Sequence, residues 1–212
     1  MAVISASFRQ RFRARIEAPV AAIFARSRLT PNMLTLIGFG IAIAGAYLAA
    51  IQLWIPAGLV VGFGAAFDLF DGALARATGK TSKFGAFLDS TMDRAGEAVV
   101  YIGLVFGLLT LGDTNGAALA AATMAAAFMV SYARAKSDSL GYSSGTGMAN
   151  VGLAPREVRS VILVIGLLAA AFDLRFLIGA IALIAVLAAI TTIQRIYFVY
   201  RQSQPTNQEV QK

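Results

Sequence analysis

The sequence contains no cysteine and no histidine, and each absence excludes a class of chemistry. Without cysteine there can be no disulfide and no thiolate metal site. Without histidine, a general base has to be a carboxylate, a lysine, a tyrosine or water. Charge is scarce as well, because Asp, Glu, Lys and Arg make up only 14% of the 212 residues, whereas 58% are hydrophobic. That hydrophobic fraction exceeds the usual value of about 45–50% and indicates a membrane protein.

Six apolar runs follow one another along the chain, each near the roughly 20 residues that a spanning helix needs. We expect them at about 33–53, 56–77, 84–110, 116–138, 157–172 and 175–199, the fifth being the shortest. The sequence therefore predicts an all-α integral membrane protein with six transmembrane helices, forming one membrane domain over residues 31–200. No internal repeat and no second domain is apparent, and residues 201–212 are expected to be a polar cytoplasmic tail.

Residues 1–30 are predicted to form an amphipathic helix that lies on the membrane surface ahead of the first span. Apolar residues recur at spacings of four from Phe8 to Phe24, interspersed with arginines. That period suits a surface helix, and a plain solvated basic helix is the alternative. Glu17 and Pro19 interrupt the stretch, which argues against a secretory signal.

The distribution of basic residues predicts the orientation in the membrane. The net charge is +7, which we interpret as loop bias and contact with anionic lipid rather than nucleic-acid binding. Basic residues occur in the N-terminal arm, near 77–83, at the end of the 139–156 connection and in the tail, whereas the opposite loops hold only Arg175. Both termini and the aspartates described next are therefore expected on the cytoplasmic side of the cell membrane.

Four aspartates occur in or beside the second and third apolar runs. Asp68 and Asp71 are spaced i,i+3, and Asp89 and Asp93 are spaced i,i+4. On helices each pair projects from one face, so two such helices can bring four carboxylates together. A charge in a span costs about 2.5–3.5 kcal/mol on insertion scales, which favours a functional interpretation over a buried charge network. Magnesium, held by a few carboxylates and substrate phosphates, would offset the mutual repulsion.

The complete spacing is more specific than an acidic cluster and reads Asp68-x2-Asp71-Gly72-x2-Ala75-Arg76-x8-Gly85-x3-Asp89-x3-Asp93. It resembles the signature of the CDP-alcohol phosphotransferase family of integral membrane enzymes. The resemblance implies two Mg²⁺ ions, with Mn²⁺ as an alternative, bound by Asp68, Asp71, Asp89 and Asp93. It also implies that Asp93 is the catalytic base. The residues alone require a carboxylate base but do not choose among the four.

The same resemblance implies a site for the cytidine diphosphate part of a CDP-lipid, formed by Pro31, Asn32, Met33, Leu34, Gly72, Arg76 and Ser82. A guanidinium at Arg76 suits a phosphate. For Ser82, an N-cap of the third helix is an equally good interpretation. Glu97 continues the Asp89–Asp93 face by one turn and is expected to support it.

The acceptor is predicted from cations near the cytoplasmic ends of three helices, which suit a phosphorylated acceptor: Arg134, Lys136, Arg156, Arg159 and Arg195. Ordinary positive-inside placement is the alternative. The segments resemble those of phosphatidylinositol-phosphate synthases and their archaetidylinositol-phosphate relatives. This implies transfer of a phosphatidyl or archaetidyl group from CDP-diacylglycerol or CDP-archaeol to inositol phosphate, with release of CMP. A homodimer is expected, and the sequence leaves open which of Arg134 and Lys136 contacts the acceptor.

Three other functions remain open at this point. The same chemistry could use glycerol 3-phosphate, serine or another polyol as acceptor. A Mg²⁺ channel or transporter would instead show inverted repeats or an aspartate path across both leaflets, whereas the four motif aspartates cluster near one face. A lipid-binding scaffold without turnover would not need the complete motif.

Overall fold

The computed structural model describes residues 30–77, 82–142 and 151–204, and the side chains of these residues except those of 68–77. This part of the chain forms six α-helices: α1 Pro31–Ala50, α2 Trp54–Ala77, α3 Lys83–Thr110, α4 Thr114–Ser139, α5 Arg156–Ala169 and α6 Leu174–Ser203. The described ranges contain no strand, so the predicted all-α class is confirmed. The predicted surface helix at 1–30 and most of the predicted tail lie outside the described residues.

Helix boundaries follow local signals in the sequence. α1, α3, α4 and α6 each begin after a residue whose side-chain oxygen accepts a backbone N–H of the first turn, namely Thr30, Ser82, Asp113 and Asp173. α1 ends at Ala50, three residues before the predicted end. The reason is Gln52, whose φ of 59° is left-handed and incompatible with a continuing helix.

Three of the described helices, α1, α4 and α6, are long and apolar enough to cross a membrane. In α2 the apolar part is the shorter stretch Trp54–Phe67. α3 is long enough, but Asp89, Asp93 and Arg94 lie in its first half and Glu97 lies at its middle. α5 has only 14 residues, about 21 Å of helix, against roughly 30 Å of hydrocarbon core. The arrangement is that of an integral membrane protein whose charges are concentrated on particular helices.

The six helices contact one another in a ring, in the order α1, α2, α5, α6, α4, α3 and back to α1. α1 and α3 run parallel, because Ala42 faces Gly96 and Ala46 faces Gly103. α3 and α5 also run parallel, as two ion pairs between them show below. α1, α3 and α5 therefore begin at the same end of the bundle, which we call the site end.

The closest helix contact is between α1 and α3. A Cβ on Gly103 or on Gly107 would collide with the carbonyl oxygens of Ala46 and Ala49. Such small residues let membrane helices approach closely. The core continues from this contact to α5 and α6 through fully buried aliphatic side chains: Leu104, Leu108, Leu167, Leu177, Ile181 and Ile184.

Candidate active site

A cleft lies between α1, α2, α3 and α5, and its empty space, open solvent included, is about 700 Å³. Its polar wall carries Asp93 and Glu97 from α3 and Arg156 and Arg159 from α5. The remaining wall is apolar or small, and includes Gly38 and Ala42 of α1, Val61, Gly64 and Ala65 of α2, and Leu163 of α5. Charged groups that converge in an otherwise apolar cavity are the usual composition of a ligand site.

Asp93 contacts two guanidinium groups. Its Oδ1 lies 2.7 Å from Nη1 of Arg156 on α5, and its Oδ2 lies 3.4 Å from Nη2 of the adjacent Arg94. Arg94 also donates a hydrogen bond to the Ser131 hydroxyl of α4. The side chain of Asp93 is 21% exposed, so it is partly open to the cavity. The predicted base is therefore held in place from α5 while remaining accessible.

Glu97 and Arg159 form a second ion pair one turn further along the same two helices. Arg159 donates from Nε and Nη2 to the two Glu97 oxygens at 2.8 and 2.7 Å, a bidentate arrangement. The side chains are 1% and 10% exposed, so this pair is buried. Glu97 thus lines the cavity and holds Arg159, and its supporting role in the site stays a prediction. The commitment of Arg159 to Glu97 makes it less available to an acceptor phosphate than Arg156, and its acceptor role stays a prediction.

Arg195 of α6 is buried as well and binds backbone carbonyl groups. Its Nε donates to the carbonyl of Val151 at 3.1 Å, and its Nη1 donates to the carbonyl of Val130 on α4. The positive charges of Arg134, Arg159 and Arg94 all act on it. Arg195 thus lies in a region of concentrated positive charge, although two of its donors are already used. Its contact with the acceptor phosphate stays a prediction.

The other two predicted acceptor residues lie near the end of α4. Arg134 is exposed and lies 3.8 Å from Asp138, one turn away on the same helix. Lys136 is also exposed. Around α3 to α6, the described ion pairs and electrostatic contacts join five arginines with three carboxylates. Asp89 and Glu157 on the same helices balance this excess, so it is the position of Arg156 and Arg159 in the cavity wall that favours an anionic ligand.

The residues predicted to bind the nucleotide meet at the site end. Ser82 accepts the Gly85 N–H at 2.9 Å, so its alternative interpretation as the N-cap of α3 is confirmed. A Cβ on Gly85 would lie 3.1 Å from Oδ1 of Asn32, at the first turn of α1. The starts of α1 and α3 are therefore neighbours, and helix N-termini suit phosphate oxygens. A nucleotide role for Ser82 stays a prediction.

The predicted metal ligands are described only in part. Asp89 and Asp93 lie one turn apart on α3, and both are partly exposed. Asp68, Asp71, Gly72 and Arg76 lie on α2, but their side chains are outside the described part. Position 68 follows the cavity-lining Gly64 by one helical turn, so the α2 register continues the cavity wall to this aspartate. Oxygen donors on two helices that flank one cavity fit a hard divalent cation. Among the described side chains alone, no three acidic residues form a cluster.

Sequence reasoning did not single out Arg94 or Thr191. Arg94 follows the predicted base directly and fixes it to α4 through Ser131. Thr191 accepts two backbone N–H groups from the segment before α5. The available signal was the polar spacing Thr191-x2-Gln194-Arg195 within an apolar helix, which places three polar groups on one face of α6.

Comparison with protein families gives a match over most of the chain. Residues 28–197 match the model of the family described as CDP-alcohol phosphatidyltransferase. The archaetidylinositol phosphate synthase of Pyrococcus horikoshii is 40% identical over 169 residues, covering 80% of this chain and 82% of the relative. The phosphatidylinositol phosphate synthase of Streptomyces avermitilis is 34% identical over 209 residues, covering 91% and 81% of the two chains.

Solved structures give the same result for the fold. The Mycobacterium tuberculosis phosphatidylinositol phosphate synthase with CDP-DAG bound superposes with a TM-score of 0.78 at 30% identity, covering 88% of this chain and 94% of that one. The same enzyme in complex with manganese and citrate also gives a TM-score of 0.78, at 29% identity, with 87% and 89% covered. The match extends across the membrane region and includes the four-aspartate motif.

Proposed function

Because this chain belongs to the CDP-alcohol phosphatidyltransferase family, we propose that it transfers a phosphatidyl or archaetidyl group from a CDP-lipid to inositol phosphate and releases CMP. The observation that supports a phosphorylated acceptor is the guanidinium group of Arg156, which lies in the cavity wall beside Asp93. A neutral alcohol would not need it, whereas a phosphate would form charge-assisted hydrogen bonds with it. Two relatives are named archaetidylinositol phosphate synthase and phosphatidylinositol phosphate synthase.

We propose that Asp68, Asp71, Asp89 and Asp93 hold two Mg²⁺ ions, which Mn²⁺ can replace. When bound, the ions neutralise the diphosphate and polarise its phosphorus. Two observations support this: α2 and α3 flank one cavity, and a structural relative was solved with manganese. Arg156 lies 2.7 Å from Asp93, so it limits the directions from which that carboxylate accepts a further ligand.

The donor nucleotide is proposed to lie at the site end. Pro31, Asn32, Met33 and Leu34 form the first turn of α1, beside Ser82 and Gly85 of α3. Pro31 has no N–H, and the N–H groups of Met33, Leu34 and Gly85 donate to Thr30 and Ser82. The Asn32 N–H would therefore face the diphosphate, together with Gly72 and Arg76 of α2. The donor diphosphate and the acceptor phosphate then approach the cavity from different helices, since the predicted acceptor cations belong to α4, α5 and α6.

The reaction is proposed as one displacement at phosphorus. The acceptor hydroxyl oxygen forms a bond to the lipid-side phosphorus, the bond from that phosphorus to the CMP oxygen breaks, and the hydroxyl proton passes to Asp93. Arg156 holds the Asp93 carboxylate at 2.7 Å before the reaction. A bound acceptor phosphate would contact the same Arg156 guanidinium that holds Asp93. Arg156 would thereby couple acceptor binding to proton transfer.

The membrane arrangement is proposed to comprise all six helices as spans, with an amphipathic surface helix at 1–30. The membrane domain extends over 31–200, and both termini and the site end face the cytoplasm of the cell membrane. Arg134, Lys136 and Arg156 at the site end agree with positive-inside placement. A homodimer is part of the same proposal.

An acceptor screen on the purified protein tests the function. CMP release is followed with CDP-diacylglycerol or CDP-archaeol as donor and with inositol phosphate, free inositol, glycerol 3-phosphate or serine as acceptor. We expect inositol phosphate to give the highest kcat/KM, and chelation of divalent cations to abolish turnover. Faster turnover with glycerol 3-phosphate or serine would replace the proposed acceptor. Turnover that survives exhaustive chelation would refute the metal proposal.

A further inference from the structure

The segment immediately before α5 is not helical, yet its backbone is fixed by side chains from α5 and α6. The N–H groups of Leu153 and Ala154 donate to the Thr191 hydroxyl at 3.1 and 3.0 Å. Arg159 donates to the carbonyl of Ala154 at 2.9 Å, and Arg195 donates to that of Val151. Irregular backbone in a membrane protein needs such internal partners, because lipid supplies none.

Thr191 stands out among these partners because it is fully buried and its hydroxyl is used in an unusual way. A hydroxyl has one donor and two acceptor lone pairs, and here two N–H groups use both lone pairs. The adjacent Thr192 behaves as helical threonines commonly do, donating to the Ala188 carbonyl at 3.0 Å. The two neighbours therefore differ in function although they share residue type and helix.

Gly152 fits the same contact. Its φ of +120° lies in the region that favours glycine, and a Cβ there would collide with the side chain of Thr191. The backbone at Gly152 therefore lies too close to the Thr191 side chain to leave room for a Cβ. This contact and the two hydrogen bonds determine where residues 152–154 lie, and the segment leads directly into Pro155 and Arg156.

We propose that Thr191 is a positioning residue for the acceptor side of the site. By fixing the backbone of Leu153 and Ala154, its hydroxyl sets the first turn of α5, so that the Arg156 guanidinium faces Asp93 at 2.7 Å. The inference rests on the proposed function for the identity of the acceptor. It extends that function to a residue which touches neither substrate and acts through Arg156.

The test compares Thr191→Val with Thr192→Val. Valine keeps the shape of threonine but lacks the lone pairs, so Thr191→Val leaves two N–H groups without their acceptor. We expect KM for inositol phosphate to rise roughly tenfold, as for the loss of a net hydrogen bond or two, while KM for the CDP-lipid stays within about twofold. Thr192→Val should leave both constants within about twofold. Equal effects of the two variants, or an equal rise in both constants, would refute the proposal.

Two further variants separate positioning from folding. Thr191→Ser keeps the hydroxyl and should restore a nearly normal KM for inositol phosphate. If Thr191→Val fails to fold, the serine variant still decides, because a raised constant there contradicts a role of the hydroxyl. In an Arg156→Lys background, Thr191→Val should add little, since residues acting through one group are non-additive. Full additivity would contradict the route through Arg156.

Failure of the proposed function would look different. Wild-type protein would then release CMP with another acceptor and not with inositol phosphate. The Thr191 comparison would be made on KM for that acceptor, with the same expected difference from Thr192→Val.

Discussion

At the scale of single residues, Asp93 is the group on which the proposed chemistry depends. Asp93→Asn keeps the size of the side chain and a hydrogen-bond acceptor for Arg156 but removes the proton acceptor. Loss of a general base lowers rates by about 10²–10⁴, so we expect kcat to fall within that range while CDP-lipid affinity changes much less. Single-turnover CMP release and equilibrium binding of CDP-diacylglycerol measure the two effects.

The control for this variant is Glu157→Gln, which changes an exposed carboxylate beside Arg156. A parallel loss of affinity and rate would make Asp93 chiefly a metal ligand.

An ion pair between α3 and α5 and another within α4 offer a second comparison of single residues. Glu97 and Arg159 are buried and bidentate, whereas Arg134 and Asp138 are exposed and 3.8 Å apart. Removing one partner of a buried pair costs about 3–5 kcal/mol, and an exposed pair contributes less than about 1 kcal/mol. We therefore expect Glu97→Gln to lower the free energy of unfolding in detergent several times more than Asp138→Asn. Equal losses in a denaturant titration would show that the Glu97 pair is not structural.

At the scale of helices, the sequence predicted the elements well because apolar length and capping residues are local signals. The predicted runs lie close to the helices observed, and the departure at Gln52 comes from one left-handed residue. Partners across helices were not predictable in the same way. Whether Arg159 meets Glu97 or a ligand depends on the rotation of α5 against α3, which spacing within one helix does not determine. The same holds for Arg195, whose carbonyl partners lie on α4 and before α5.

The contact of α1 with α3 gives a prediction at this scale. Gly103→Ala adds a methyl group directly against the Ala46 carbonyl, whereas nothing lies within 4 Å of a Cβ on Gly40. Overpacking costs about 1–3 kcal/mol, and an unhindered Gly→Ala change in a helix gains about 0.5–1 kcal/mol. The two alanine variants should therefore shift Tm in opposite directions in a thermal unfolding series. A stabilised Gly103→Ala would mean that α1 and α3 are not in close contact.

For the whole molecule, the ring of helices explains how residues far apart in sequence can serve one reaction. α1, α3 and α5 begin at the site end, so three helix N-termini and the cations of Arg134, Lys136 and Arg156 share it. The CDP headgroup of the donor lipid and the acceptor phosphate both carry negative charge, and both lie on the water side of the membrane surface. An enzyme of this kind needs its positive groups at one end and its lipid-facing surface around the sides, which is the distribution found.

The orientation of that end is the prediction for the molecule as a whole. Since the sequence has no cysteine, single cysteines can be introduced without background labelling. Phe172→Cys lies in the exposed α5–α6 loop opposite the site end, and Gln204→Cys lies just beyond α6 at the site end. In intact cells a membrane-impermeant maleimide should label Phe172→Cys, and should label Gln204→Cys only after permeabilisation, because basic residues retain the site end in the cytoplasm. Both variants should first retain CMP release. The reverse labelling pattern would place the site end outside the cytoplasm, away from soluble inositol phosphate. The proposed orientation would then be wrong.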